Sequence, residues 1–389
     1  MKPAAAPFAT LGTTIFDIMT RRAAEHGAVN LGQGYPDGNG PDDVREMAAR
    51  ALADRPNQYP PMWGVPELRQ SVATHGRRFY GLDIDPASEV LVTSGATEAL
   101  ASCLLALIDP GDEVVLIEPL YDSYLPMVRR AGGVPRIVRL EPPEWRLPRD
   151  ALVAAFSDRT KLIVVNSPMN PTGKVFDHEE LSAIAALMLR HDCYAVCDEV
   201  YEHLVFDGRR HTPLMTLPGM RDRCLRIGSA GKIFSLTGWK VGFITAAADL
   251  LLPVAKAHQF LTFTTPPNLQ RAVAYGLGKD DAYFATLAQD MSTRRDRLAS
   301  GLRDAGLTVL PTAGTYFVCC DIGDVAGGLT DVEFCTRLVE KVRVAAIPVS
   351  SFFADGHASR YVRFAFCKDA SSLDEAIRRL NAGLRAAMR

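Results

Sequence analysis

The sequence predicts an α/β fold, with a mainly parallel seven-stranded sheet in a large domain and a smaller α+β domain after it. Three observations carry this. Strand-like runs alternate with helical stretches from about Pro41 to Arg226. Several of those runs are continuously apolar, as strands covered on both faces are. From about Asp249 the pattern changes to long helical stretches and then to a mixed region.

Residues 1–40 are too few for a core of their own and are assigned to an arm that packs with the small domain. The large domain is expected over 41–285. Its first strand is 89–93, followed by a helix over 96–108 that stops at Asp109-Pro110-Gly111-Asp112. Further strands are expected at 113–117, 134–140, 161–165, 194–198, 224–229 and 241–245. The small domain, 286–389, carries strand-like runs at 315–321 and 361–366 and a last helix over 373–388. No repeat or low-complexity tether separates the two, so they are expected to share an interface.

The bulk numbers exclude several function classes. A chain of 389 residues suits two domains, at roughly 150 residues each. A formal net charge of -2 favours neither nucleic acid nor an anionic membrane. The longest apolar run, 99–108, falls well short of the ~20 residues that cross a bilayer. The first fourteen residues lack the cationic head and apolar core of a signal peptide. Eight cysteines are scattered without a CxxC. They read as reduced, mostly buried thiols in a cytoplasmic protein.

The chemistry concentrates at the expected strand ends. Gly228-Ser229-Ala230-Gly231-Lys232 and Thr237-Gly238-Trp239-Lys240-Val241-Gly242 set two lysines eight positions apart among small residues. One lysine can attack a carbonyl as the free amine while the other holds an anion. Pyridoxal phosphate asks for both services, having an aldehyde and a phosphate. Asp198 ends an apolar strand, where open α/β sheets place ligands, and a carboxylate there can keep a pyridine nitrogen protonated. Tyr201 lies three residues on and can reach the ring oxygen. The alternative is a turn-capping aspartate and a core tyrosine.

Other positions have equally plain alternatives. Asn170, between Met169 and Pro171, offers an amide to a ring oxygen or a carboxylate, or is part of a Pro/Gly turn. Ser94-Gly95-Ala96-Thr97 opens a helix whose N–H groups suit a phosphate, unless Ser94 simply caps it. Tyr121 can stack on a flat ring or fill the core. Arg363 sits in an apolar strand and needs an anion, either a substrate carboxylate or an internal aspartate. Gly32-Gln33-Gly34 has Asp37 where a dinucleotide fingerprint wants glycine, and Gly231-Lys232 lacks the rest of a P-loop. The eight histidines form no HExxH pair, and no metal is expected.

In order, Gly34, Tyr59, Ala96-Thr97, Tyr121, Asn170, Asp198, Tyr201, Ser229, Lys232, Lys240 and Arg363 resemble the fold-type I, class I/II aminotransferases that use pyridoxal phosphate. Within them the chain looks most like the kynurenine/glutamine, methionine and N-succinyldiaminopimelate aminotransferase group, through Asn30–Asp37, Asn57-Gln58-Tyr59 and Ala346–Ser350. The resemblance implies that Lys232 is the lysine joined to the cofactor and the one that moves the proton. It implies that Asp198 pairs with the pyridine nitrogen, that Tyr201 and Asn170 hold the ring oxygen, and that Tyr121 stacks on the ring. Ala96, Thr97, Ser229 and Lys240 would hold the phosphate. Arg363, Asn170 and the Gly34 backbone would hold the α-carboxylate, with Phe16 closing over the substrate. Tyr59 would reach across a homodimer interface to the neighbour's phosphate.

The substrates implied are an amino acid and a 2-oxo acid, exchanged by a ping-pong mechanism. Phe16, Tyr35, Trp63, Phe263, Phe352 and Phe353 are the pocket walls the resemblance implies, and they favour bulky, aromatic or methionine/glutamine-like donors. Two alternatives on the same cofactor are a cysteine-conjugate β-lyase and an N-succinyldiaminopimelate aminotransferase.

Overall fold

A computed structural model describes residues 2, 6–9 and 11–389. Seven strands form the main sheet: β1 (Val90–Thr93), β2 (Glu113–Glu118), β3 (Val134–Arg139), β4 (Thr160–Asn166), β5 (Tyr194–Asp198), β6 (Cys224–Ser229) and β7 (Gly242–Thr245). Their order across the sheet is β1-β7-β6-β5-β4-β2-β3. β3, β2, β4, β5 and β6 run parallel, and β7 runs against β6 and β1. Side chains alternate between two covered faces. In β2, Val114 and Leu116 pack with Leu100 and Leu104 of the helix Gly95–Leu107. Val115 and Ile117 pack on the opposite side with Leu181 and Ile184 of the helix His178–Arg190. Burial on both faces is why the inner strands read as unbroken apolar runs, whereas the edge strand β3 is only partly buried.

A four-stranded antiparallel sheet lies in the C-terminal part, in the order Ile347–Pro348, Tyr361–Ala365, Phe317–Asp321, Thr308–Val309. Arg363 sits mid-sheet, opposite Cys319 on one side and Ile347 on the other. Residues Val29–Asn30 add a short parallel pairing with Val344–Ala345. These two-residue pairings escaped the sequence reading because two residues carry no periodicity.

The two sheets are tied together at the end of β2. Glu118 is fully buried, and its carboxylate accepts from Arg139 Nε (3.2 Å) and from the Ala354 backbone N–H (2.7 Å). Two residues on, the Leu120 N–H donates to Phe352 O at 2.6 Å. The eight cysteines are free and buried. Among the described residues no helix is long and apolar enough to cross a membrane.

Candidate active site

The parallel strands β2, β4, β5 and β6 deliver Tyr121, Asn170, Asp198 with Tyr201, and Ser229 with Lys232 to one rim of the sheet. β1 shares their direction and brings Gly95-Ala96-Thr97 there. β7 runs the other way, so the residues before it, including Lys240, reach the same rim. All of these line a single cavity of about 310 Å³, together with Phe16, Gly34 and Arg363. Tyr59 does not line it. Its ring is 83% exposed and stacks edge-on against Phe263 at 5.5 Å.

At one end of the cavity the backbone forms a cradle. Gly95 has φ +79°, and a Cβ on it would lie 3.3 Å from Lys240 Cε and 3.5 Å from its Nζ. A Cβ on Gly242 would lie 2.6 Å from the Gly95 carbonyl carbon. Glycine at both places is therefore a condition of the close approach. The Ser94 side chain makes no capping bond, against the simpler sequence alternative. Its backbone N–H goes to Glu98 Oε2 at 2.9 Å. The first N–H groups of the 13-residue helix Gly95–Leu107 have no intrahelical acceptor, and its dipole is positive at that end. Beside Lys240 and Ser229, that donor set fits a phosphate.

In the middle, the Tyr124 hydroxyl donates to Asp198 Oδ2 at 2.5 Å, and the Val200 N–H approaches Oδ1 at 3.5 Å. Burial pushes the Asp198 carboxyl above its ordinary range, while Tyr124, Val200 and Lys232 pull it back. A carboxyl in that position gains most from a cation placed against it, and a protonated pyridine nitrogen is one. Tyr201 is buried, and burial raises its hydroxyl so that it stays a neutral phenol.

Lys232 follows β6 in the short helix Ala230–Ile233. Its Nζ donates to the Tyr316 hydroxyl at 2.8 Å, and that hydroxyl donates to Gly34 O at 2.5 Å. Burial lowers the amine to about 8, with Lys240 and Arg363 adding to the effect and Cys367 and Asp198 opposing it. Such an amine has an appreciable unprotonated fraction near neutral pH.

Arg363 is 1% exposed and has no carboxylate partner among the described residues. The internal Arg–Asp pair of the sequence alternative is absent. Instead Nη1 donates to Asn170 Oδ1 and Nη2 to Gly32 O, both at 2.7 Å, while Nε has no partner. The guanidinium lies 3.8 Å from the centre of the Phe317 ring. Burial lowers its pKa to about 10, which leaves it charged at neutral pH. A buried cation with only neutral partners calls for an anion. Because Asn170 Oδ1 faces Arg363, its Nδ2 is left to donate elsewhere.

Of the expected walls, Phe16 alone lines the cavity, packing edge-on with Phe352 at 5.8 Å, while Tyr35, Trp63, Phe263, Phe352 and Phe353 do not line it. The sequence reading missed Tyr124, Tyr316 and Gln33, whose side-chain amide ties to Phe16 O and Thr20 Oγ1. It also missed a cluster behind the Tyr201 loop. There His75 Nε2 and His203 Nε2 lie 2.7 Å apart, beside Glu202, Tyr80 and Arg226. Burial lowers both imidazoles far below their usual range. A neutral N–H donated to a neutral ring nitrogen accounts for the contact.

Residues 27–380 match the sequence pattern of the family "Aminotransferase class I and II". A probable N-succinyldiaminopimelate aminotransferase, DapC, of Mycobacterium tuberculosis is 47% identical over 380 residues, covering 95% of this chain and 96% of the relative. The methionine aminotransferase of Escherichia coli K12 is 39% identical over 370 residues, with the same two coverages. The solved structure of N-succinyldiaminopimelate aminotransferase from Mycobacterium tuberculosis superposes with a TM-score of 0.94 at 46% identity, covering 97% of this chain and 99% of that one. The catalysis is therefore amino-group transfer, and the chain belongs to the class I and II aminotransferase family.

Proposed function

We propose that this aminotransferase works with pyridoxal phosphate joined to Lys232, and that Arg363 receives the α-carboxylate of its amino-acid and 2-oxo-acid substrates. The observation that carries the reading is the buried, carboxylate-free Arg363 in the same cavity as the depressed amine of Lys232. The bound cofactor supplies an aldehyde that exchanges between the lysine and the substrate amine, and a ring that takes up charge.

The chain's own residues do the rest. Lys240, Ser229 and the N–H groups at Ala96 and Thr97 would hold the phosphate. Asp198, fixed by Tyr124, would pair with the ring nitrogen. Tyr121 would stack on the ring, and Tyr201 and Asn170 would donate to its oxygen. The Lys232 amine would serve as the base that takes the proton from the substrate α-carbon and gives it back. Asn170, the Gly34 backbone and Arg363 grip the carboxylate, with Phe16 over it. Residues 41–285 serve as the cofactor-binding unit, and 286–389 with the arm 1–40 bring Arg363 and Phe16 to it.

The active species is read as a cytoplasmic homodimer. Tyr59 (83% exposed) and Phe260 (86% exposed) support this, being large aromatic rings left to solvent in one chain. Tyr59 would serve the partner's phosphate.

For the donor, the cavity lining carries no arginine besides Arg363 among the described residues, which disfavours a short dicarboxylic side chain such as aspartate. Bulky, aromatic or methionine/glutamine-like donors fit. A second reading, N-succinyl-diaminopimelate as donor, is favoured by the 47% identity to the mycobacterial relative. The test is a half-reaction screen. The loaded enzyme is mixed with methionine, phenylalanine, glutamine, aspartate or N-succinyl-diaminopimelate, and loss of the cofactor's visible band is followed. A response to aspartate alone would overturn both readings.

A further inference from the structure

We propose that Tyr316 is a positioning residue for Lys232: its hydroxyl holds the lysine amine in place and takes its own position from the Gly34 carbonyl. The inference rests on the reading of Lys232 as the lysine joined to the cofactor.

The argument begins with a proton count. A phenol has one hydrogen, and here it goes to Gly34 O, which can only accept. What faces Lys232 Nζ at 2.8 Å is therefore an oxygen lone pair, and the lysine must be the donor. An ammonium and a neutral amine can both donate, so the contact survives the loss of the lysine's proton. In the neutral amine, the lone pair is then left pointing away from Tyr316. Tyr316 does not itself carry the proton, because burial holds its hydroxyl well above the ordinary phenol range.

The phenol is rigidly placed. Its residue is 1% exposed, and its ring packs edge-on against Tyr201 at 5.1 Å and Phe317 at 4.8 Å. The ring alone would fill that space, so packing does not account for the oxygen.

Its other partner links it to substrate recognition. Gly34 lies two residues from Gly32, whose carbonyl accepts from Arg363 Nη2. Leu31 O, just before, accepts from the Ala365 N–H at 2.7 Å. One short stretch of backbone thus fixes the carboxylate-binding cation directly and the amine through Tyr316. Glycine at 34 permits this, since a Cβ there would lie 2.5 Å from Phe317 Cζ.

The test compares the wild type with Tyr316→Phe, which removes only the oxygen. In cofactor-free protein, the pH dependence of Lys232 acetylation is read by mass spectrometry. An acceptor favours the ammonium, so its loss should move the labelling midpoint down by about half a unit or more. In loaded enzyme, kcat should fall about ten- to a hundredfold, with KM and cofactor affinity changed less than about threefold. An unmoved midpoint overturns the inference, as does a kcat loss matched by an equal rise in KM and a lower melting temperature. If the variant does not fold, 3-fluorotyrosine at 316 replaces it. Its oxygen is a poorer acceptor, so a smaller downward shift is expected, and no shift overturns the inference. Borohydride reduction with peptide mapping keeps the two readings apart. A cofactor remnant on Lys240 defeats the Lys232 assignment whatever Tyr316 does. A remnant on Lys232 with no effect at 316 defeats the Tyr316 inference alone.

Discussion

Arg363 donates to Asn170 Oδ1 across 2.7 Å, joining the strand Tyr361–Ala365 to the turn after β4. The contact orients the guanidinium and the amide together, so a change in either side chain disturbs the other.

Arg363→Lys should therefore lose more than one hydrogen bond, because an ammonium cannot reach Asn170, Gly32 and a carboxylate with the same fork. At about 1.5–3 kcal/mol for a charge-assisted bond, KM for the amino acid should rise roughly ten- to a hundredfold. Steady-state kinetics with two donors checks this. Equal KM values would remove Arg363 from carboxylate binding.

Tyr124→Phe takes away the strongest donor to Asp198. Burial already raises that carboxyl, and the loss should raise it further and weaken its hold on a ring cation. Cofactor affinity should drop by about three- to tenfold, at about 0.5–1.5 kcal/mol for the bond. Fluorescence titration of the cofactor-free protein measures it, and unchanged affinity would separate Asp198 from ring binding.

Lys232→Met should stabilise the cofactor-free protein. The lysine is lowered from 10.5 in its ordinary state to about 8 in the fold, so the folded chain binds that proton poorly. The penalty is complete below pH 8. It shrinks as the folded-state amine loses its proton, and it is gone above the ordinary lysine value. The melting temperature of the variant should exceed the wild type's by a few degrees at pH 7, and the two should converge toward pH 10.5. A pH-independent difference would mean that packing, not charge, sets it.

Lys240→Ala should keep the cofactor linkage on Lys232 but cut affinity about tenfold, with a weaker dependence on competing inorganic phosphate. Gly95→Ala should do at least as much, because the added methyl meets Lys240 and the backbone must hold φ +79°. Absorbance and phosphate competition together read both.

Phe260→Glu should yield a smaller species in sedimentation and lower cofactor occupancy, if exposed Tyr59 serves a neighbouring chain. A monodisperse wild-type monomer with full occupancy would remove the dimer from the reading.

The main sheet was legible because burial on both faces leaves continuous apolar runs, and each strand is long enough to register. Asp198 and Asn170 stood out in the sequence because strand ends are where such folds put ligands, whereas Lys232 was told from Lys240 only through the family resemblance. Tyr316 and Tyr124 were not, since each acts through a partner 84 or 74 residues away and nothing in spacing records that. Arg363 was visible as a misplaced charge, but its partner was not. Only the fold excluded an internal aspartate. His75 and His203, 128 residues apart, meet for the same unrecorded reason.

The buried Glu118 limits how the crevice can open. Swinging the C-terminal sheet away from the main one would strip this carboxylate of the Ala354 N–H and pull Leu120 off Phe352. Losing that charge-assisted bond costs about 1.5–3 kcal/mol, although Arg139, on the neighbouring strand of the same sheet, stays with the carboxylate. Admission of substrate is then cheapest by movement of the half-buried Phe16 side chain, because residues 29–34 are held by Arg343, Ala345, Ala365, Arg363 and Tyr316 while the two sheets stay locked as one chassis.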